Sequence, residues 1–214
     1  MLLSVLLIYL FSFISLFFIK KAEKVVYTLL TLLLTGVISY FATYLHGVIH
    51  GETFTNTFHW LPSLDIHFSF YLDGLSLFFI FLITFIGLLV LLYAFKYMAH
   101  YEEKNRFFCY LLLFMASMMG VVLSANLISL FIFWELTSFS SFLLIGFNNK
   151  YEKSRRAARQ ALLVTSGGGL ALMTGFILLE LITNSSFNFL DIMNRSAMVV
   201  NSDLCTASII LIFI

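Results

Sequence analysis

The sequence predicts an all-α, polytopic membrane protein with six full transmembrane helices, a truncated seventh, and its N-terminus on the outer side. Three observations carry that prediction. The 214 residues are 61% hydrophobic and 11% charged, with a mean hydropathy of +1.01, whereas a soluble domain is about 25% charged. Long apolar runs recur at residues 2–19, 25–45, 73–95, 107–124, 127–147 and 157–182, each near the roughly 20 residues a helix needs to cross a bilayer. Basic residues, finally, collect in alternate connections between these runs.

In hydrocarbon every backbone N–H and C=O must find its partner within the segment, so each run reads as a helix. The first lacks a basic leader and a small-residue cleavage site, which marks a retained span rather than a signal peptide. Between the second and third runs, residues 46–72 hold His46, His50, His59 and His67. His46 and His50 have helical i, i+4 spacing, which suits a metal pair, but no third ligand is evident; interfacial histidines or a pH-responsive outer surface are the alternatives. Asp73 precedes the third run as an N-cap. The fourth run carries Ala116, Gly120 and Ser124 four apart, and the sixth carries Ala157, Ala161, Thr165 and Gly169. Small residues at that spacing let helix backbones approach closely in lipid. A seventh run starts near Leu204 and stops at Ile214, enough for about 16 Å of helix, so the chain is expected to continue. Cys109 and Cys205 lie in apolar segments and read as small hydrophobes. Asn184-Ser185-Ser186 matches a glycosylation sequon, a pattern short enough to arise by chance.

Orientation follows from charge. Lys20, Lys21 and Lys24 follow the first run, Lys96, Lys104 and Arg106 the third, and Lys150, Lys153, Arg155, Arg156 and Arg159 the fifth. The opposite connections hold only Arg195. Eleven against one places the basic connections in the cytoplasm.

Glu135 interrupts one of the most apolar stretches, "FIFWELTSFSSF" at 131–142. It lies about 12 Å into its helix at 1.5 Å per residue, where a charge costs about 2.5–3.5 kcal/mol. Ser138 and Ser141 fall on the same face, widened by Thr137 and Ser140 into a polar stripe. An acid at that depth stays protonated, pairs with a cation or lines a hydrated path. It is either a packing residue or a proton or cation relay, and intramembrane acids default to the second role. No Lys, Arg or His lies in the interior of any run, so a basic partner must come from beyond this chain. Glu180, near the outer end of the sixth run, either reaches toward water or marks an exit for a relayed proton. The run Ser166-Gly167-Gly168-Gly169 either packs closely or loosens its helix; it is not a phosphate loop, having no strand before it and no Gly-Lys-Ser after it. With a net charge of +1 and no nucleophile–base pair, nucleotide motif or basic nucleic-acid patch, the chain reads as neither a soluble-type enzyme nor a nucleic-acid binder, and no cofactor is implied.

"FWELTSFSSFLLIGF" (133–147), "YLDGLSLFF" (71–79) and "LLVTSGGGLALMTGFILL" (162–179) resemble the large A subunit of Mrp-type multisubunit cation/proton antiporters, relatives of the antiporter-like membrane subunits of respiratory complex I. The resemblance implies that Glu135 is the functional glutamate of the fifth helix, and that a lysine on the seventh helix lies just beyond Ile214. It implies inverted five-helix bundles, each with a broken helix, with residues 107–214 forming the front of the first and residues 1–106 three peripheral helices. Ala125 stands where relatives commonly have an aspartate, and "SGGG" where complex I relatives tend to have charged residues. The function implied is exchange of a monovalent cation, Na+, for protons across the cell membrane, in company with other hydrophobic antiporter subunits. The alternatives are a proton-pumping subunit of a complex I-like enzyme, or a structural membrane scaffold in which Glu135 is dispensable.

Overall fold

The computed structural model describes residues 1–19, 22–61, 66–183, 187–200 and 202–213. Helix α1 (Leu2–Phe18) is followed by α2 (Glu23–Ala42), the short α3 (Leu45–Ile49), strands β1 (Phe54–Leu61) and β2 (Ile66–Leu72), then α4 (Gly74–Tyr97), α5 (Lys104–Leu123), α6 (Leu127–Ile145) and α7 (Glu152–Thr183). Short helices α8 (Phe189–Asn194) and α9 (Ser196–Val200) lead to α10 (Cys205–Phe213). Five helical stretches are long and apolar enough to cross a membrane, beginning at Glu23, Gly74, Lys104, Leu127 and Glu152; α1 is apolar but only 17 residues long. Lys20, Lys21 and the sequon 184–186 lie outside the described residues.

Polarity is arranged for lipid. On α1, Leu3, Phe13 and Phe17 are exposed while Ser4, Ser12 and Ser15 are buried. The bilayer is as apolar as leucine, so these helices gain little from hiding hydrophobes and associate through close packing and hydrogen bonds. Ser12 Oγ donates to Cys109 O at 2.9 Å, and Tyr9 and Ser117 share a hydroxyl contact of 2.8 Å. Both bonds tie α1 to α5. Cys109 is buried and Cys205 half-buried, and both are free thiols.

Glycines set the helix contacts further along. A Cβ on Gly120 would meet the Phe133 ring, and one on Gly87 would meet the Met115 side chain. Ala116 and Gly120 are buried on α5, so the small-residue stripe read there is a packing face. The stripe read on α7 is not: Ala157 and Thr165 are exposed, and the buried positions are Ala158, Gly169, Gly175, Phe176 and Thr183. The packed face of a 32-residue helix follows its neighbours along the whole length, and four-residue spacing drifts off that line.

The connection 46–72 departs from an all-helical chain. Phe54–Leu61 and Ile66–Leu72 pair antiparallel, with Phe54 opposite Leu72 and Phe58 opposite Phe68. The first carries Phe, Thr and Trp and the second Phe, Tyr and Ile, residues that suit a pleated, half-buried surface. Phe70 and Leu72 are fully buried, and the Phe68 and Phe70 rings lie 6.3 and 6.2 Å from that of Phe133. The hairpin therefore sits on the helices.

Its edge is extended by the turn at 124–126. Ala125 N donates to Ser69 O at 2.8 Å, and Ala125 O accepts from Phe189 N at 3.1 Å. Leu127 N donates to Phe187 O at 2.9 Å. One continuous clasp thus joins β2, the α5–α6 turn and the segment after α7. Phe187 is held at φ 55° in it, a conformation non-glycine residues rarely adopt. Asn126 caps α6, its Oδ1 accepting from Ile128 N at 2.8 Å. Asp73 caps α4 through a reciprocal box with Ser76, both bonds 2.8 Å, as the sequence suggested.

At the other end the helices are tied by charge. Lys104 on α5 pairs with Glu23 on α2 at 2.5 Å, and Asn105 Nδ2 donates to Leu16 O at 2.7 Å. Lys96, Arg106, Lys150, Lys153, Arg155, Arg156 and Arg159 lie near this end.

Two substitutions test these contacts in the full-length subunit within its assembly. Gly120→Val forces the Phe133 ring aside, an overpacking cost of about 1–3 kcal/mol, read as a lowered thermal midpoint in detergent. Asp73→Ala removes the cap of α4 and costs about 1 kcal/mol, while Asp73→Asn retains most of it in the same melt.

Candidate functional site

Helix α6 begins at its Asn126 cap and runs 19 residues, about 28 Å. Glu135 lies a little above the middle of it and points at α7. The opposing residue is Gly169: a Cβ there would collide with Glu135 Oε1 and approach the carboxyl carbon at 3.0 Å. The carboxyl group therefore occupies the space a side chain on α7 would fill. Glycine is the residue type that admits a charged group this close to a neighbouring helix backbone.

Oε1 is buried and has no hydrogen-bond partner among the described residues. Among the described residues no cation pairs with the carboxyl group either, the ion pairs Lys104–Glu23 and Arg106–Glu103 lying at the basic end. The polar stripe does not reach it. Ser138 is buried, but its Oγ donates to Trp134 O at 3.2 Å. Thr137 Oγ1 donates to Phe133 O and Ser140 Oγ to Leu136 O, each at 2.8 Å. These hydroxyls satisfy themselves on their own helix, as serine and threonine do when no better partner is in reach. Ser141 is half-buried one turn beyond Ser138. Trp134 is 44% exposed, on the side away from the packed face. The site is thus one carboxyl group on one glycine, with its remaining bonding capacity open.

The Gly-rich run keeps α7 helical without interruption through residues 166–169. Of its glycines, Gly167 and Gly168 have nothing within 4 Å of a built Cβ, so Gly169 alone is a contact. Glu180 is half-buried on the same helix, about 16 Å further along at 1.5 Å per residue, so the two acids do not share a site. Just beyond it, Arg195 Nη1 donates to Thr183 O at 2.6 Å, placing this basic residue at the negative end of the α7 dipole.

The histidines form a separate feature. His46 and His50 stack with ring centroids 4.5 Å apart, and no group of three metal-ligating side chains exists among the described residues. His59 and His67 are opposed in the hairpin register. Ala125, where an acid was expected in relatives, has its N–H and C=O both bonded in the clasp and its side chain buried. What the sequence reading missed is the role of Gly169 as the wall facing Glu135. Its signal was present as the last member of a small-residue stripe.

Comparison with known proteins finds relatives for this chain. The family described as NADH:quinone oxidoreductase/Mrp antiporter, TM, matches residues 124–214, and the complex I chain 5 N-terminus family matches residues 60–108. The Na(+)/H(+) antiporter subunit A1 of Staphylococcus haemolyticus is 43% identical over 175 residues, which is 82% of this chain and 22% of that protein. The same-named protein of Staphylococcus aureus is 44% identical over the same shares. This chain thus spans about a fifth of the length of these relatives. Among solved structures, the Mrp complex from Dietzia sp. superposes over 98% of this chain and 22% of the matched chain, with a TM-score of 0.83 at 24% identity. An archaeal membrane-bound sulfane sulfur reductase does so over 98% and 32%, with a TM-score of 0.78 at 16% identity. Several apolar helices of spanning length, with these relatives, make this a multi-pass plasma-membrane protein. The chain is thus similar, over 82% of its length, to Na(+)/H(+) antiporter A1 subunits, and its residues 60–108 and 124–214 match families described for complex I and Mrp antiporter membrane subunits.

Proposed function

We propose that this chain is part of the large subunit of a multisubunit antiporter that exchanges a monovalent cation, Na+, for protons, and that Glu135 is a proton-relay carboxylate. One observation carries the proposal: a membrane-buried carboxyl oxygen with no partner among the described residues, seated on a glycine of the next helix. An unpaired acid in that setting holds its proton until a positive charge approaches. The charge stabilises the carboxylate, the proton leaves, and the departure of the charge draws a proton back. The charge itself would come from outside this chain, as the absence of interior basic residues requires. Ser138 and Ser141 lie where they would border the proton's route, and Glu180 is a candidate exit.

The same reading takes α1 as a sixth, thin span and α10 as the start of a seventh, with the basic end cytoplasmic and the N-terminus outside. Residues 1–106 would be peripheral helices and 107–214 the front of an antiporter-like bundle. Other hydrophobic antiporter subunits, the lipid bilayer, Na+ and H+ are the partners proposed; the stacked His46–His50 pair is left without a metal role. The identity of 43–44% to antiporter subunits favours exchange over a redox-coupled pump, for which the fold likeness to the sulfane sulfur reductase is the supporting observation.

Sodium-dependent proton movement in inverted vesicles carrying the full-length assembly tests the role of Glu135. Glu135→Gln is expected to lower exchange at least tenfold with the assembly intact, and Glu135→Asp to keep part of it; undiminished exchange in Glu135→Gln would sink the relay. Gly169→Ala supplies a separate test. Alanine is the better helix former by about 1 kcal/mol, yet its methyl displaces the carboxyl group. Exchange should fall severalfold while the thermal midpoint does not drop in proportion.

A further inference from the structure

Between the start of α5, the end of α6 and the start of α7 lies a cavity of about 420 Å³, within the roughly 300–1,000 Å³ usual for small-ligand sites. Arg106, Arg155 and Arg159 line it, with Tyr110, Phe142 and Leu143. The arginines are not equivalent. Arg106 is held by Glu103 Oε2 at 2.6 Å and by the Tyr110 hydroxyl at 3.2 Å, so its charge is matched and its position fixed. Arg155 gives Nη1 to the carbonyl of Asn149 at 2.7 Å. A carbonyl orients a guanidinium without neutralising it, and the other N–H groups of the fork stay available. Arg159 has no hydrogen-bond or ion-pair partner among the described residues.

Arg155 and Arg159 are one turn apart on α7, and like charges at that spacing repel. Neither has a carboxylate within 4 Å among the described residues. An anion between them removes the repulsion, and phosphate suits two guanidinium forks in particular. The cavity is also graded. Its arginines lie at the basic end of the bundle, while Phe142 and Leu143 form an apolar wall. Toward the membrane centre the surface continues with Phe139 and Leu163, 49% and 75% exposed.

We propose that this cavity binds the phosphate head group of an anionic phospholipid, with the acyl chains lying along the apolar surface of α6 and α7. A free phosphate would match only the arginines, as would an acidic protein segment. A lipid matches both ends of the gradient, and in the orientation proposed above the cavity opens on the leaflet richer in anionic lipid.

The full-length subunit in its assembly, stripped of lipid in a nonionic detergent, would be titrated with phosphatidylglycerol or phosphatidylcholine, and retained lipids counted by native mass spectrometry. The wild type should retain one phosphatidylglycerol that the Arg155→Gln/Arg159→Gln double variant binds on the order of tenfold or more weakly, with no such difference for phosphatidylcholine. Arg155→Lys/Arg159→Lys, which keeps the charge and loses the fork, should fall between them. Equal phosphatidylglycerol retention in wild type and the Gln variant overturns the proposal. So does displacement of the lipid by millimolar inorganic phosphate, which would make this a free-anion site. Cross-linking of position 159 to an acidic segment of another subunit, with no lipid retained, overturns it in favour of a protein partner.

Discussion

Glycine contacts hold this bundle together. Among α4, α5, α6, α7 and α10, successive helices meet at a residue with no side chain: Gly87 receives Met115, Gly120 receives Phe133, Gly169 receives Glu135, and Gly175 receives Ile212 of α10. In water such helices would be pressed together by their apolar faces. In lipid that force is nearly absent, and what remains is the closeness of backbones, dispersion and a few hydrogen bonds. A socket of this kind tolerates one shape, so each contact also sets the register of its helix pair. Three sockets take an apolar side chain. The fourth takes a carboxyl group, so the functional candidate is built with the same device as the structural contacts.

That dual use explains the plainness of the site. A carboxyl group in hydrocarbon is usually surrounded by donors, yet the nearby hydroxyls of Thr137, Ser138 and Ser140 turn to their own backbone. A fully bonded acid would be fixed in one protonation state. In the relay proposed above, an acid held by shape, with a buried oxygen lacking a partner among the described residues, need not break hydrogen bonds to change its proton. Shape supplies the location and leaves the charge free to change.

Much of this was legible from residue order. Long apolar runs and lipid's demand for internal hydrogen bonds place α2, α4, α5, α6 and α7 within a few residues, and the caps at Asp73 and Asn126 are local signals that no distant contact overrides. Glu135 announces itself by being out of place. The hairpin was hidden, because residues 54–72 alternate imperfectly and owe their pairing to a surface that appears only once Phe133 and its helix are packed. The α7 stripe misled for a related reason. Spacing alone shows which small residues align on a helix, and partners decide which of those alignments is used. Whether Ser138 faces a proton or its own backbone is likewise a question of rotamer, which sequence does not record.

The clasp at the end away from the basic residues has a mechanical consequence. Ser69, Ala125, Phe187 and Phe189 are joined through main-chain atoms, so β2, the α5–α6 turn and the segment after α7 are fastened by bonds that no side-chain titration weakens. At the opposite end α5 is joined to α2 by the Lys104–Glu23 ion pair and to α1 by the Asn105–Leu16 hydrogen bond, and an ion pair near the surface weakens with salt. The two rims therefore answer to different conditions, the main-chain clasp being indifferent to salt and the charged rim sensitive to it.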